Sequence, residues 1–526
     1  MALDQLIAAM TEPGFYPQPP ARVELRQTHI SYVFVAGDFV YKIKKPVRFD
    51  FLDYSTLERR YHFCAEEVRL NRRLAPRVYL GVRAIMRRDD GYALAAGPAE
   101  GFDPNAAEYA VEMRRLPDER CLDRLVQAGQ VEAAVMRKVG ALLARFHDRA
   151  PRARSTEYGC ADAIARSVGT NLEECRSLVG DTLGAREFNF ITRFNHDFID
   201  THRELLERRA QRGMVREGHG DLRSEHICIG EQIEVIDCVE FSEQLRYGDI
   251  ASDLAFLLMD LDRLRAPALG HHLLRAYLDE IRDGELSRLL NFYKCYRATV
   301  RGKVSSLKAR AREVDQAQQR WARESARNFF SAAYGYAKAG SPALIVICGL
   351  PGTGKSTLAA VLAERSGFAV FNSDLIRKRI AGIAPTQRAG AGWEQGIYSA
   401  DFTAATYQAL ADEAAKTLHG GDGVIVDATY KDHAQRMGLR AVACLARVPI
   451  VFVECVLSDE QARRRLAQRA QRPDTVSDAT WETYLQHKAA FEPFGPGFAG
   501  CHLRVDGAAE AADNACAIER FIADQC

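Results

Sequence analysis

The stretch GLPGTGKST, residues 349–357, satisfies GxxxxGK[ST] at every fixed position and lies between an apolar strand-like run, ALIVIC, and a helical run, LAAVLAERSG. Glycines at this spacing let backbone N–H groups curl around phosphates, and the start of a helix adds positive potential. Gly349, Gly352, Thr353, Gly354, Lys355, Ser356 and Thr357 therefore read as nucleotide-binding residues, with Lys355 neutralising the outer phosphates and Ser356 ligating Mg²⁺. The neighbours decide what such a site does with ATP. FNSDLIRKR sets Asp374 and Arg377 at the end of a second strand. A carboxylate there can take a proton from an acceptor hydroxyl, and an arginine one turn on can grip an anionic part of the same substrate. Asp374, standing just before LIRKR, equally suits a helix N-cap. In GVIVDAT the apolar run ends at Asp427, a carboxylate placed to hold Mg²⁺ through water. Arg465, Arg469 and Arg472 follow in an arginine-rich segment broken at Pro473. Arginines on a closing segment neutralise a transferring phosphate, whereas a solvated basic helix is the plainer alternative.

Positioning these groups takes a sheet with helices on it. After residue 340, where AKAGSP gives way to ALIVIC, strand-like and helical runs alternate, which predicts a parallel sheet with right-handed crossovers over 341–526. Before that point the pattern differs. Residues 30–45 read as a hairpin around Ala-Gly-Asp, followed by a helix capped by Ser55 or Thr56, strands at 78–86 and 107–114, and then mostly helices to 340. The expectation is one domain over 1–340, with a sheet lobe at about 25–115 and a helical lobe at about 116–340, and a second over 341–526. At 526 residues two domains are the natural division.

Composition narrows the function classes. Lys plus Arg (71) balances Asp plus Glu (70), so nothing global draws the chain to nucleic acid or an anionic membrane. The 13 cysteines form no CxxC pair and suit buried thiols in a reducing compartment. No stretch approaches the roughly 18 apolar residues that span a bilayer, and the expected location is the cytoplasm.

Two regions carry resemblances. The P-loop, the second-strand Asp and Arg, the Asp of GVIVDAT and the arginine-rich lid of 341–526 resemble the small P-loop kinases that include polynucleotide kinase, gluconate kinase and zeta-toxin-like enzymes, which implies phosphorylation of a hydroxyl. Upstream, HGDLRSEHICIG, IEVID and YGDIASDLAFL resemble the aminoglycoside phosphotransferase-like, protein-kinase-like family. That likeness implies that Asp221 orients or deprotonates an acceptor hydroxyl, that Asp237 chelates Mg²⁺, that His219 braces the loop and that Asp253 holds it from beneath. It further implies a strand lysine on the phosphates, Lys42 or its same-face neighbour Lys44, paired with Glu66 or Glu67. The family's loop ends in Asn, an oxygen donor to Mg²⁺, where this chain has His226, a nitrogen donor.

The fold class expected is thus an α+β bilobal protein-kinase-like domain followed by an α/β P-loop NTPase domain. The function expected is ATP-dependent phosphotransfer to a hydroxyl-bearing acceptor, with ATP and Mg²⁺ as cofactors, the P-loop domain as the surer catalyst and the upstream domain as a second kinase or a substrate-selecting module. Two other readings compete. One is a nucleotide-sensing regulatory protein with a pseudokinase upstream. The other is a nucleic-acid end kinase, which Arg377 and the basic stretch 297–312 favour and the neutral charge balance disfavours.

Overall fold

The computed structural model describes residues 2–49, 52–89, 91–153, 158–311, 314–387, 395–470, 477 and 479–525. The chain folds as two compact units, Met1–Ile164 with Glu204–Arg282, and Ala165–Arg203 with Asp283–Cys526. It therefore passes from one unit to the other three times.

The first unit carries an antiparallel sheet of β1 (Val23–Gln27), β2 (Ser31–Ala36), β3 (Phe39–Lys44), β4 (Tyr79–Arg88), β5 (Gly91–Leu94) and β6 (Ala106–Arg114). Their spatial order is β1-β2-β3-β6-β4-β5. β2 and β3 form the expected hairpin, closing at Gly37-Asp38 with Gly37 at φ +64°, a left-handed turn position that glycine occupies without strain. Strand alternation then separates two faces. Tyr41 and Ile43 pack under Leu6 and Met10 of an N-terminal helix, Ala2–Thr11, that the sequence pattern did not reveal. Lys42 and Lys44 point to the opposite side, which the helix Leu57–Asn71 covers with Cys64 and Val68. Thr56 caps that helix, its hydroxyl accepting from the Arg59 N–H. In the helical part of the unit, two short antiparallel pairs bracket residues 218–226. They are β7 (Val215–Glu217) with β10 (Tyr247–Asp249), and β8 (Ile227–Ile229) with β9 (Ile233–Val235). Beneath them runs the helix Ile250–Arg263, buried on nearly every turn.

The second unit holds the expected parallel sheet: β11 (Leu344–Cys348), β12 (Ala369–Asn372), β13 (Val424–Asp427), β14 (Ile450–Val456) and β15 (His502–Asp506), in spatial order β12-β13-β11-β14-β15. β11 is buried at all five residues, which is why it reads as an unbroken apolar run rather than an alternating one. One core packs Leu344, Val346, Val424, Val426 and Phe452 against Leu410, Ala414 and Leu418 of the helix Ala400–His419. That helix, capped by Ser399, went unread in the sequence. The long helices Ser287–Arg310 and Gln316–Gly340 pack on each other, on Lys355–Ser366 and on Ala511–Gln525. Asp422, just before β13, ties the unit's two chain segments together: His202 Nε2 lies 3.3 Å from its carboxylate and Arg288 Nη2 donates to it at 2.8 Å. Among the described residues no helix is long and apolar enough to cross a membrane.

Candidate functional site

At the carboxyl edge of the parallel sheet, Gly349 leaves β11 at φ +124°, and a Cβ there would stand 2.5 Å from the Cys455 carbonyl oxygen of β14. Only glycine lets the loop turn that close to its neighbour. The loop leads into the helix Lys355–Ser366. Lys355 Nζ donates to the Leu350 carbonyl at 2.9 Å, so the loop itself holds the ammonium over its concavity. Ser356 Oγ donates to Asp427 Oδ2 at 2.6 Å. The same oxygen accepts from Asn372 Nδ2 at 2.7 Å, so the ends of β12 and β13 and the P-loop helix meet at one carboxylate.

Asn372 also caps the helix Ser373–Ile380, its Oδ1 accepting from the Asp374 and Leu375 N–H groups at 2.9 and 3.1 Å. The cap that Asp374 equally suited belongs to its neighbour, and the Asp374 carboxyl is left in the cleft. Burial pushes its pKa above the ordinary aspartate value, against the pull of Ser477 and Arg377. Arg377 is 6 % exposed. Its Nη1 donates to the Ile397 carbonyl at 2.7 Å and Thr403 Oγ1 at 3.1 Å, and its guanidinium lies 4.9 Å from the Tyr398 ring centre. The Nε is buried without a hydrogen-bond partner among the described residues.

These groups line one cleft of 1470 Å³ with residues 351–357 of the P-loop, Tyr407, Lys431, Arg465, Arg469 and His487. Arg465 Nη2 donates to the Gly507 carbonyl at 2.9 Å, and its Nη1 would lie 3.2 Å from a Cβ on Gly354, which sets this arginine over the start of the P-loop helix. Arg469 Nη2 donates to the Ala479 carbonyl at 3.1 Å. Arg472 lies outside the described residues. Burial, with Lys355, Lys431 and Arg377 nearby, holds the His487 pKa down at about 4, so the ring is neutral. Tyr430, at the cleft's floor, has φ +45°, a left-handed conformation that costs a bulky residue energy and concentrates at functional sites. Asn372, Lys431 and His487 were missed in the sequence, although FNSD does carry a cap residue one place before the helix.

In the first unit, Lys42 Nζ donates to Glu67 Oε1 at 2.8 Å and to Asp237 Oδ1 at 2.9 Å. Lys44 Nζ, fully buried, donates to Glu67 Oε2 at 2.8 Å and to Glu240. The two strand lysines thus differ: Lys42 reaches the exposed carboxylate of Asp237, and Lys44 is locked behind it. Glu66 pairs instead with Arg69 at the surface. Lys42 holds the Asp237 carboxyl well below the usual carboxylate range.

Asp253 accepts from the backbone N–H groups of His219 and Gly220, the second at 2.9 Å, and so carries the loop from beneath. His219 Nε2 donates to the Ile236 carbonyl at 2.9 Å, and burial holds its pKa down at about 4. The Asp221 carboxylate accepts from Arg223 Nε at 3.0 Å and Nη2 at 2.8 Å. His226 Nδ1 lies 2.9 Å from the Asp221 carbonyl oxygen, and its Nε2 lies 3.2 Å from Arg223 Nη2 and 3.7 Å from Asp237 Oδ2. Burial and the adjacent Arg223 hold the imidazole pKa below its ordinary value. The structure therefore brings Lys42, Glu67, Asp221, His226 and Asp237 to one place. No sequence pattern signals the Arg223 clamp on Asp221.

The family model of a phosphotransferase enzyme family matches residues 54–289, and that of an AAA domain matches residues 344–494. The chain is 32 % identical over 462 residues to the uncharacterized protein Rv2004c of Mycobacterium tuberculosis, covering 88 % of both chains. Among solved structures, it is similar to a choline/ethanolamine kinase family protein from Mesorhizobium loti (12 % identity, 64 % of this chain and 99 % of that one, TM-score 0.38). A second is a gluconokinase from Sinorhizobium meliloti (20 % identity, 35 % of this chain and 93 % of that one, TM-score 0.26).

Proposed function

We propose that this chain, which belongs to the two-domain family of the mycobacterial relative and joins a kinase-like phosphotransferase domain to a P-loop kinase domain, moves the γ-phosphoryl group of ATP to a hydroxyl of a small anionic acceptor in the cleft of the second unit. The observation that carries this reading is the Asp374 carboxyl, half-buried and not used by the helix cap, in one cleft with Lys355, Arg377 and Asp427. Asp374 takes the proton as the acceptor oxygen bonds to the γ-phosphorus and the bond to the bridging oxygen breaks, releasing ADP. The backbone of 349–356 and Lys355 hold the phosphates, and Arg465, Arg469 and Arg472 neutralise charge on the group in transit. Ser356 and Asp427 offer hard oxygens 2.6 Å apart, a donor set that fits Mg²⁺. When bound there, Mg²⁺ would neutralise charge on the β- and γ-phosphate oxygens. Arg377, anchored through Nη1 with its Nε unpaired, and Lys431 give the acceptor side its anion preference.

The upstream cleft is read as a second kinase site, with Lys42 held by Glu67 to meet phosphates and Asp221 to orient a hydroxyl. A regulatory role is the second reading, favoured by the bidentate Arg223 on Asp221. The test is transfer of γ-labelled phosphate from ATP into a desalted metabolite and RNA mixture by wild type, Asp221→Asn and Lys355→Ala. Loss with Lys355→Ala alone makes the P-loop unit the enzyme and the first unit its regulator. Two products lost separately, or one doubly labelled product lost with either change, makes both units kinases. Transfer that survives both changes sinks the proposal.

A further inference from the structure

We infer that the upstream cleft takes its divalent cation through a nitrogen ligand, with His226 and Asp237 as the two protein donors, and so prefers Mn²⁺ to Mg²⁺. The inference rests on the reading of that cleft as a nucleotide site. His226 Nδ1 sits 2.9 Å from the Asp221 carbonyl oxygen, which can only accept. The hydrogen bond therefore assigns the proton to Nδ1 and leaves the lone pair on Nε2. Nε2 is 3.7 Å from Asp237 Oδ2, inside the roughly 4 Å that two ligands of one cation, each about 2.1 Å from it, can span. The other Asp237 oxygen is taken by Lys42 at 2.9 Å, which fixes the carboxylate with Oδ2 toward the imidazole.

Among the described residues no three His, Cys, Asp or Glu side chains form a cage. Two protein donors with phosphate oxygens and water making up the rest is the coordination of a metal that arrives on a nucleotide. Mg²⁺ holds to oxygen, imidazole nitrogen suits the first-row transition cations, and Mn²⁺ is the member of that row that shares the taste of Mg²⁺ for carboxylate and phosphate oxygen. Arg223 Nη2 donates to the same Nε2 at 3.2 Å. A cation at Nε2 displaces that one bond, and Arg223 keeps Asp221 through its Nε at 3.0 Å.

The test uses full-length Lys355→Ala protein, which weakens the downstream nucleotide site, with Mn²⁺ and a non-hydrolysable ATP analogue. Electron spin-echo spectroscopy of the bound Mn²⁺ reads its ligands. The expected result is a ¹⁴N imidazole modulation that shifts on ¹⁵N-histidine labelling and vanishes in His226→Asn. Mn²⁺ affinity in His226→Asn should fall at least about tenfold relative to Mg²⁺, the scale that even an outer ligand partner commands. Labelling needs no variant, so a poorly folding His226→Asn leaves the question answerable. Nucleotide-dependent Mn²⁺ binding with no nitrogen modulation overturns the inference alone. No upstream Mn²⁺–nucleotide complex at all overturns the reading of the cleft and the inference with it.

Discussion

Replacing Asn372 separates a structural job from a functional one. Its Oδ1 caps the helix Ser373–Ile380 and its Nδ2 donates to Asp427. Losing an N-cap costs about 1 kcal/mol, and losing a hydrogen bond to a charged group costs about 1.5 kcal/mol at the lower end suited to a half-buried residue. Asn372→Ala forfeits both, about 2.5 kcal/mol. Asn372→Ser keeps a capping oxygen and forfeits only the second, about 1.5 kcal/mol. With a urea slope of roughly 2 kcal/mol per molar, the midpoint should fall by roughly 1.2 M for Ala and 0.7 M for Ser. Tryptophan fluorescence is the natural probe, because Trp321, Trp393 and Trp481 are the chain's three tryptophans and all lie in the stretch 283–526. Affinity behaves differently. Both variants leave Asp427 Oδ2 with Ser356 as its side-chain donor, so Mg²⁺–nucleotide binding, followed by calorimetry, should weaken equally in the two. Equal midpoints for Ala and Ser, or a shift under roughly 0.3 M with unchanged affinity, would refute the dual role.

Lys355→Ala should lower transfer in the P-loop unit by roughly 10²–10³-fold, as loss of one charge-stabilising donor does, read as kcat on the identified acceptor. Asp374 must be ionised to take a proton, and burial raises its pKa. Activity should therefore be lost as pH falls through a value above the usual aspartate figure of about 3.9. Asp374→Asn should cut kcat by about 10²–10⁴ and abolish that acid limb of the pH profile. In the first unit the two lysines should part company. Lys44→Met leaves Glu240 buried without its cation and should destabilise the unit by about 3 kcal/mol or more in calorimetry. Lys42→Met, nearer the open cleft, should mainly weaken nucleotide binding upstream.

What was legible in the sequence is what local pattern encodes. GxxxxGK[ST] between a strand and a helix, the alternation of strands and helices after 340, and the β2–β3 hairpin all depend on neighbours close in sequence, and the structure contains each of them. The choice between Lys42 and Lys44 was not legible. Both point to one face of β3, and only the distant Asp237 and Glu240 tell them apart. Asn372 hid for a similar reason, since its second bond crosses to another strand. The helix Ala400–His419 is alanine-rich, with Leu410, Ala414 and Leu418 as a narrow apolar stripe, which is a weak periodic signal. Nor can a charged helical run announce its neighbour. Ser287–Arg310 and Gln316–Gly340 find theirs on Lys355–Ser366 and Ala511–Gln525 through tertiary packing alone.

The threefold passage of the chain between its units constrains inheritance. A P-loop half exchanged between genes by one crossover near residue 340 would arrive without 165–203 and 283–340, and so without His202 and Arg288, the partners of Asp422. Recombinants that survive should therefore carry both segments along. The two units are expected to have diverged as a linked pair, with substitutions at Asp422 tracked by changes at positions more than a hundred residues upstream.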